Sequence, residues 1–439
     1  MNTNKLFYIL AGVIAFIVLL TVVIVLRNIG GGTIKESTLQ FWGVFDDRSV
    51  FDPIIRDFQA QNPSIRIVYR KFSFEDYERS LLGALAAGTG PDIFMLHNSW
   101  LPKHGDKIVP MPEVLPGNEP SMTLRDFQDQ FVDVAAQDLV YANRIYALPL
   151  YVDTLALYYN KDILNSAGIA RPAQTWEEFN SDVEKITRLD GSGNIIQSAA
   201  AIGTARNINR STDILAGLML QSGVRMMNEE NSEPTFSKPV SNTAVGEIAL
   251  KYFTDFANPS VRTYTWNDAQ HYSVDAFAEG KTAMMFNYSH QIPVLRGKAA
   301  RLNFGVAPIP QVSLNDTKTY ANYWAVAVSN RSQATDNAWK FLLHLTSKDG
   351  ASNYLNATLR PAARRDLVEL QRNDLDLGVF AIQALSARSW FQIDNIAIES
   401  IFADMIEDVN FGRATIREAL QSAEARVSVL MSRLISGQK

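Results

Sequence analysis

Five histidines, at positions 97, 104, 271, 290 and 344, and 46 acidic side chains are the groups with which this chain could do acid–base or metal chemistry. None of the histidines falls in a His-x-x-x-His pair and no His-Glu-x-x-His occurs, so a zinc site built on one helix face is not indicated. There is no Gly-x-Ser-x-Gly elbow for a nucleophilic serine. Gly88-Thr-Gly90 is too short for a phosphate loop and follows a helical pattern instead of preceding one. Cysteine is absent, which removes thiol nucleophiles, thiolate metal sites and disulfides together. Asp190-Gly-Ser-Gly-Asn194 resembles the start of a calcium loop, but the acid required at loop position twelve falls on Ala201; a plain hairpin turn fits better. No cofactor and no metal are expected. The missing motifs favour binding over catalysis, although a carboxylate pair across a glycosidic bond stays open among so many acids.

A different set of residues suits recognition. Trp42, Phe45 and Asp46, then His97, Asn98 and Trp100, then Tyr151 and Asp153, Tyr288 and His290, Trp324, and Trp390 each follow or sit on a β-prone run. Flat rings cover the C–H faces of a sugar, while carboxylates and amides exchange hydrogen bonds with its hydroxyls. A clustered arginine clamp for an anion, or a charge clamp for peptide ends, is not evident. The set therefore points to a small polar ligand of the sugar kind. Trp42, Trp324 and Trp390 equally fit core packing, and His97 equally fits a hydrogen-bonded scaffold histidine.

The elements that must position these residues alternate. Residues 39–43, 65–69 and 92–96 read as buried strands. Between them, Phe51, Ile54, Ile55 and Phe58 repeat at helical spacing and stop before Asn62-Pro63, and residues 75–87 form a second helix ending at Gly88. Strand–helix alternation predicts a mainly parallel sheet with helices on both faces, and ligands of such sheets lie beyond the carboxyl ends of the strands. Farther on, residues 146–159 read as one strand, Thr175-x-x-Glu178 and Thr415-x-x-Glu418 as capping boxes, and residues 282–288, 303–308 and 323–328 as strands.

The chain has 439 residues, enough for two domains, and a net charge of -5 that offers no basic face for nucleic acid. Residues 6–26 carry no charge and would span about 31 Å as a helix, matching a bilayer core of about 30 Å. With no small-x-small cleavage site after it, the run reads as an uncleaved signal anchor in the cytoplasmic membrane. Residues 1–5 would be a cytoplasmic tip and residues 27–37, with Gly30, Gly31 and Gly32, a linker.

Several stretches now combine. Leu39-Gln-Phe-Trp-Gly43, Leu81-Leu-Gly-Ala-Leu-Ala-Ala-Gly-Thr-Gly-Pro-Asp-Ile-Phe94, Tyr146-Ala-Leu-Pro-Leu-Tyr-Val-Asp-Thr-Leu-Ala-Leu-Tyr-Tyr-Asn-Lys-Asp162, Thr175-Trp-Glu-Glu-Phe179 and Ala283-Met-Met-Phe-Asn287 follow in this order. Together they resemble the family 1 extracellular solute-binding proteins of ABC importers, the group that includes maltodextrin-binding protein, over residues 38–431. The resemblance implies an α/β, two-lobed periplasmic-binding-protein-like fold of type II, here with an N-terminal transmembrane helix. It implies lobes of residues 38–151 plus 303–329 and 155–300 plus 333–436, crossing near Val152, Leu302 and Asn330. It further implies a non-enzymatic subunit that closes on a carbohydrate and passes it to ABC permease subunits. Asp153 matches a position where the family often places an acid. His290 stands where maltodextrin binders keep an aromatic ring, which argues against maltodextrin itself. A membrane-anchored glycoside-processing enzyme and a ligand sensor on the same fold are the alternatives.

Overall fold

The structure, a computed structural model, describes residues 16–18, 21, 36–115 and 119–437. The expected membrane span, its cytoplasmic tip and most of the linker thus lie outside the described residues. Among those that are described, no helix is long and apolar enough to cross a membrane, and no group of three or more His, Asp or Glu side chains could hold a metal ion.

The first body grows from the alternation at its start. Strands β1 (Ser37–Val44), β2 (Ile65–Phe72) and β3 (Ile93–His97) lie parallel, with β1 between the other two. Helix α1 (Arg48–Gln61) buries Phe51, Ile54, Ile55 and Phe58 and ends at Asn62, ahead of Pro63. Each such side chain contributes about 1.5–3 kcal/mol by leaving water. Helix α2 (Phe74–Ala86) is capped by Ser73, whose hydroxyl accepts from the Asp76 amide, and buries Tyr77, Leu81 and Leu85. Gly88 then turns the chain at φ 72°. A Cβ at Gly90 would come within 2.6 Å of Leu85, so this loop needs both glycines. Asp92 accepts from the Gln40 amide at 2.8 Å and from the Ser332 hydroxyl at 2.6 Å, tying the loop to the sheet. Strand Trp324–Val328 returns antiparallel to β3, and Ala147–Pro149 completes the sheet.

The second body is built on a sheet ordered Arg188–Leu189, Ile195–Ala200, Thr282–Asn287, Ala156–Asn160 and Phe304–Pro308. Thr175 caps the helix Trp176–Ile186 by accepting from the Glu178 amide, while Glu178 reaches the Gln174 amide, one residue earlier than a capping box requires. At Thr415 both halves of the box form. Asp190 accepts three hydrogen bonds from Ser192 and Asn194, which makes its loop a self-contained hairpin turn.

Two apolar cores result. One gathers residues from Leu39 to Val152, the returning strand and Trp339, Phe341, Leu342 and Tyr354. The other gathers residues from Leu155 to Tyr320 and most of the C-terminal helices. A three-stranded sheet of Asp153–Thr154, Thr319–Asn322 and Ala387–Arg388 spans the passages between them.

Two assignments differ from the expectation. Residues 303–308 belong with the second body because Phe304–Pro308 pairs residue by residue with Ala156–Asn160. The helices Thr335–Leu345 and Lys348–Thr358 belong with the first, where Trp339 and Tyr354 are fully buried in its core. The second and third passages accordingly lie near Ala321 and along residues 378–390 instead of near Leu302 and Asn330. The expected single strand over 146–159 is three short ones, interrupted where the chain leaves one sheet for the other.

Candidate functional site

Parallel strands direct all their carboxyl ends to one edge of a sheet. In the first body that edge carries Phe45 after β1, Phe74 after β2, and His97, Asn98 and Ser99 at the end of β3, and it faces the second body. The His97 ring bonds Ser99 Oγ through Nδ1 at 2.8 Å and Asn322 Oδ1 through Nε2 at 3.3 Å. Burial pushes its pKa down to about 4, against the hydrogen bond it donates to Asn322, so the ring is neutral near pH 7. The Ser99 amide also points at Nδ1; Nδ1 is therefore assigned as acceptor and Nε2 as the N–H donor. Asn98 donates to Asp138 at 3.0 Å and accepts from the Tyr323 amide at 3.4 Å.

From the second body, the helix Ser211–Gln221 aims its first turn at this edge. Arg210, which precedes it, has a left-handed backbone at φ 63°. Asp213 accepts from the Tyr288 hydroxyl at 2.8 Å, and the Arg210 guanidinium lies 5.6 Å from the centre of the Tyr288 ring. Burial raises the Asp213 pKa, and Arg210 opposes it. Glu399 and Phe402 enter from the helix Asn395–Asn410, Asn322 from the connecting strand Thr319–Asn322, and Gln392 from the loop after Ala387–Arg388. These groups line a recess between the two bodies that opens to solvent.

The two bodies also touch beside it. Lys103 donates to Glu78 at 2.8 Å and, across to the second body, to Asp394 at 2.7 Å. The Trp100 indole N–H donates to Asn395 at 3.0 Å.

Of the sequence-predicted residues, His97, Asn98 and Trp390 line the recess. Trp324 stands behind His97, edge-on at 5.4 Å, and Trp100 packs edge-on to Trp324 at 5.2 Å. Tyr288 acts through Asp213. His290 stacks on Tyr288 at 6.2 Å and is exposed to solvent, outside the lining of the recess. Phe45 is 44% exposed and stacks on Phe74, itself 47% exposed.

The remaining four are not brought to the recess. Trp42 packs on Phe72 and Arg70. Asp46 is taken up by the Tyr354 hydroxyl and the Arg360 guanidinium, and Tyr151 lies under that guanidinium at 4.3 Å. Asp153 is buried and accepts from the Thr154 amide and from the Ser289 amide and hydroxyl. Arg210, Asp213, Asn322 and Glu399 were missed, whereas Gln392 lies in the stretch Ser389–Asp394 that the strand-end rule also marks. For Arg210 and Asp213 a signal existed: they follow the strand Ile195–Ala200, which is absent from the strands expected above. Glu399 sits inside a helix and carries no such mark.

Two α/β bodies around a polar cleft, joined by three passages, define a two-lobed binding protein. The chain belongs to the family described as bacterial extracellular solute-binding protein, which it matches over residues 42–352. Members of that family bind solutes and are not enzymes, and membership places the globular body outside the cytoplasm. The chain is 23% identical over 394 residues to a binding protein of Brucella abortus (strain 2308), covering 87% of this chain and 90% of that one. It is 26% identical over 314 residues to a maltotriose-binding protein of Pyrococcus abyssi (strain GE5 / Orsay), covering 69% of this chain and 60% of that one. The crystal structure of a cyclic α-maltosyl-1,6-maltose binding protein from Arthrobacter globiformis superposes with a TM-score of 0.75 at 19% identity, over 91% of this chain and 100% of that one; this likeness speaks to the fold.

Proposed function

We propose that this chain is the extracytoplasmic solute receptor of an ABC importer, with a type II arrangement of its lobes, and that its solute is a carbohydrate gripped by hinge closure. The observation that carries the reading is one recess in which His97, Asn98 and Ser99 of the first body face Arg210 and Asp213 of the second. A solute that bonds to both sides does so only when the bodies are together, so it favours the closed form by its differential affinity. The lining mixes neutral rings, amides and hydroxyls with charges of both signs, which matches groups that donate and accept at once, as sugar hydroxyls do. The names of the relatives from Pyrococcus abyssi and Arthrobacter globiformis support the same solute class. ABC permease subunits are the proposed partners, and residues 6–26 are proposed to hold the receptor in the cytoplasmic membrane beside them, raising its local concentration there.

Thermal unfolding of the full-length protein, in a detergent without a sugar headgroup, tests the solute class. A saccharide at 100 times its Kd adds about 2.7 kcal/mol of stability. A panel of glucose, galactose, mannose, xylose, maltose and maltotriose is expected to contain at least one stabilising member. A shift with amino acids or phosphate, and none with any saccharide, would sink the reading. For the anchor, retention in membranes washed with alkaline carbonate is expected; release of the body into the wash counts against it.

A further inference from the structure

Arg210 is held in a conformation that a residue with a Cβ enters only at a cost. Its backbone lies at φ 63°, where glycine would fit without strain. A guanidinium has five N–H donors, yet among the described residues the Arg210 side chain makes no hydrogen bond. Its Nε is buried without a partner, and its one carboxylate neighbour within 4 Å, Asp213, stands 3.9 Å from Nη1. Asp213 is itself committed to the Tyr288 hydroxyl. In the same recess Glu399 stands solvent-exposed: its carboxylate accepts no hydrogen bond from the protein among the described residues, and Arg210 is among the charges that act on it. Other charged side chains at the interlobe contact have found partners, as Lys103 has with Glu78 and Asp394.

We infer that Arg210 and Glu399 are specificity-determining residues that together read a neutral vicinal diol of the solute, the guanidinium donating to its oxygens and the carboxylate accepting its hydroxyl protons. This rests on the carbohydrate reading and narrows it. A bound anion would satisfy Arg210 equally well but would face the carboxylates of Asp213 and Glu399 in the same recess, with His97 neutral and offering no further positive charge near pH 7. A diol suits both partners, since each hydroxyl can accept from one and donate to the other. Closure of the cleft strengthens both bonds by excluding water from them.

The test is titration calorimetry of the full-length protein with the tightest-binding neutral saccharide of the panel above and with glucuronic acid as the anionic probe. Arg210→Gly removes the guanidinium while suiting the left-handed backbone, so its melting temperature is expected to match or exceed that of the parent. Its Kd for the neutral saccharide is expected to rise at least about tenfold, as loss of a hydrogen bond to a charged group implies. Arg210→Lys is expected to recover part of the loss, and Glu399→Gln to weaken binding by a smaller factor. Neutral-saccharide binding with an unchanged Kd in Arg210→Gly overturns the pair and leaves the carbohydrate reading standing. Tighter binding of glucuronic acid than of every neutral saccharide overturns the diol assignment. Failure of every saccharide to bind the parent protein overturns the carbohydrate reading and this inference with it.

Discussion

Asp153 and Arg210 both lie where the chain leaves a strand or enters a helix near the junction of the two bodies, and their fates are opposite. Asp153 is 3% exposed, and its carboxylate is filled by one hydroxyl and two backbone amides. Arg210 keeps its donors free and faces open space. The contrast separates two uses of a polar group at the junction of the bodies. One closes a local network and fixes the passage between the bodies; the other is left unfinished by the protein, so that a solute completes it. A polar residue after a strand is a candidate for either role, and only its neighbours decide which.

That comparison breaks if Asp153 proves dispensable to the fold. Asp153→Ala strands the Ser289 hydroxyl and two amides in a dry site and is expected to cost about 2–4 kcal/mol in urea unfolding, whereas Arg210→Gly leaves stability intact. Equal stability losses in the two variants would erase the distinction. A smaller effect is expected at the contact between the bodies. Lys103→Met leaves Glu78 and Asp394 without their shared cation. It is expected to lower stability by about 1–2 kcal/mol and to enlarge the radius of gyration seen by X-ray scattering as the cleft opens. An unchanged radius would mean that this pair does not hold the bodies together.

A pH dependence checks the burial itself. Burial pushes Asp138 and Asp153 up to about 6, against the hydrogen bonds each accepts. The folded protein therefore takes up protons at a higher pH than the unfolded chain, where a carboxyl titrates near 3.8. Stability is expected to rise as pH falls from about 6 towards 4, because the cost of burying these charges is removed. Glu78 runs the other way: although burial opposes it, hydrogen bonds from His104 and Lys103 hold it at about 2, so its contribution is lost only as pH falls from about 4.5 to 2. Melting temperatures measured from pH 7 to pH 3 should pass through a maximum, and Asp138→Asn should flatten the rise. A monotonic fall from pH 7 downwards would contradict the burial of these two acids.

Much of the scaffold was legible in the residues. Phe51, Ile54, Ile55 and Phe58 announced a helix because residues three and four apart share a face. Thr415 and Glu418 announced a helix start because both side chains reach amides within one turn. The rule that ligands lie past the ends of parallel strands located His97 and Asn98. It could not separate them from Asp46, which sits at the same kind of position but is claimed by Tyr354 and Arg360, more than 300 residues away in sequence. Phe304–Pro308 looked like any apolar strand; which body received it was settled by its pairing with Ala156–Asn160.

The family, the alternation of strands and helices and the edge on which one wall of the cleft stands could be read from the residues alone, since these depend on neighbours within a few residues of each other. The tertiary structure decided which polar side chains are consumed and which stay free. Arg210 and Glu399 are nearly two hundred residues apart and meet in one recess because two separately packed cores are joined by three passages. The physical reason is that a hydrogen-bond vacancy is a property of everything surrounding a group, and those surroundings arrive from distant parts of the chain.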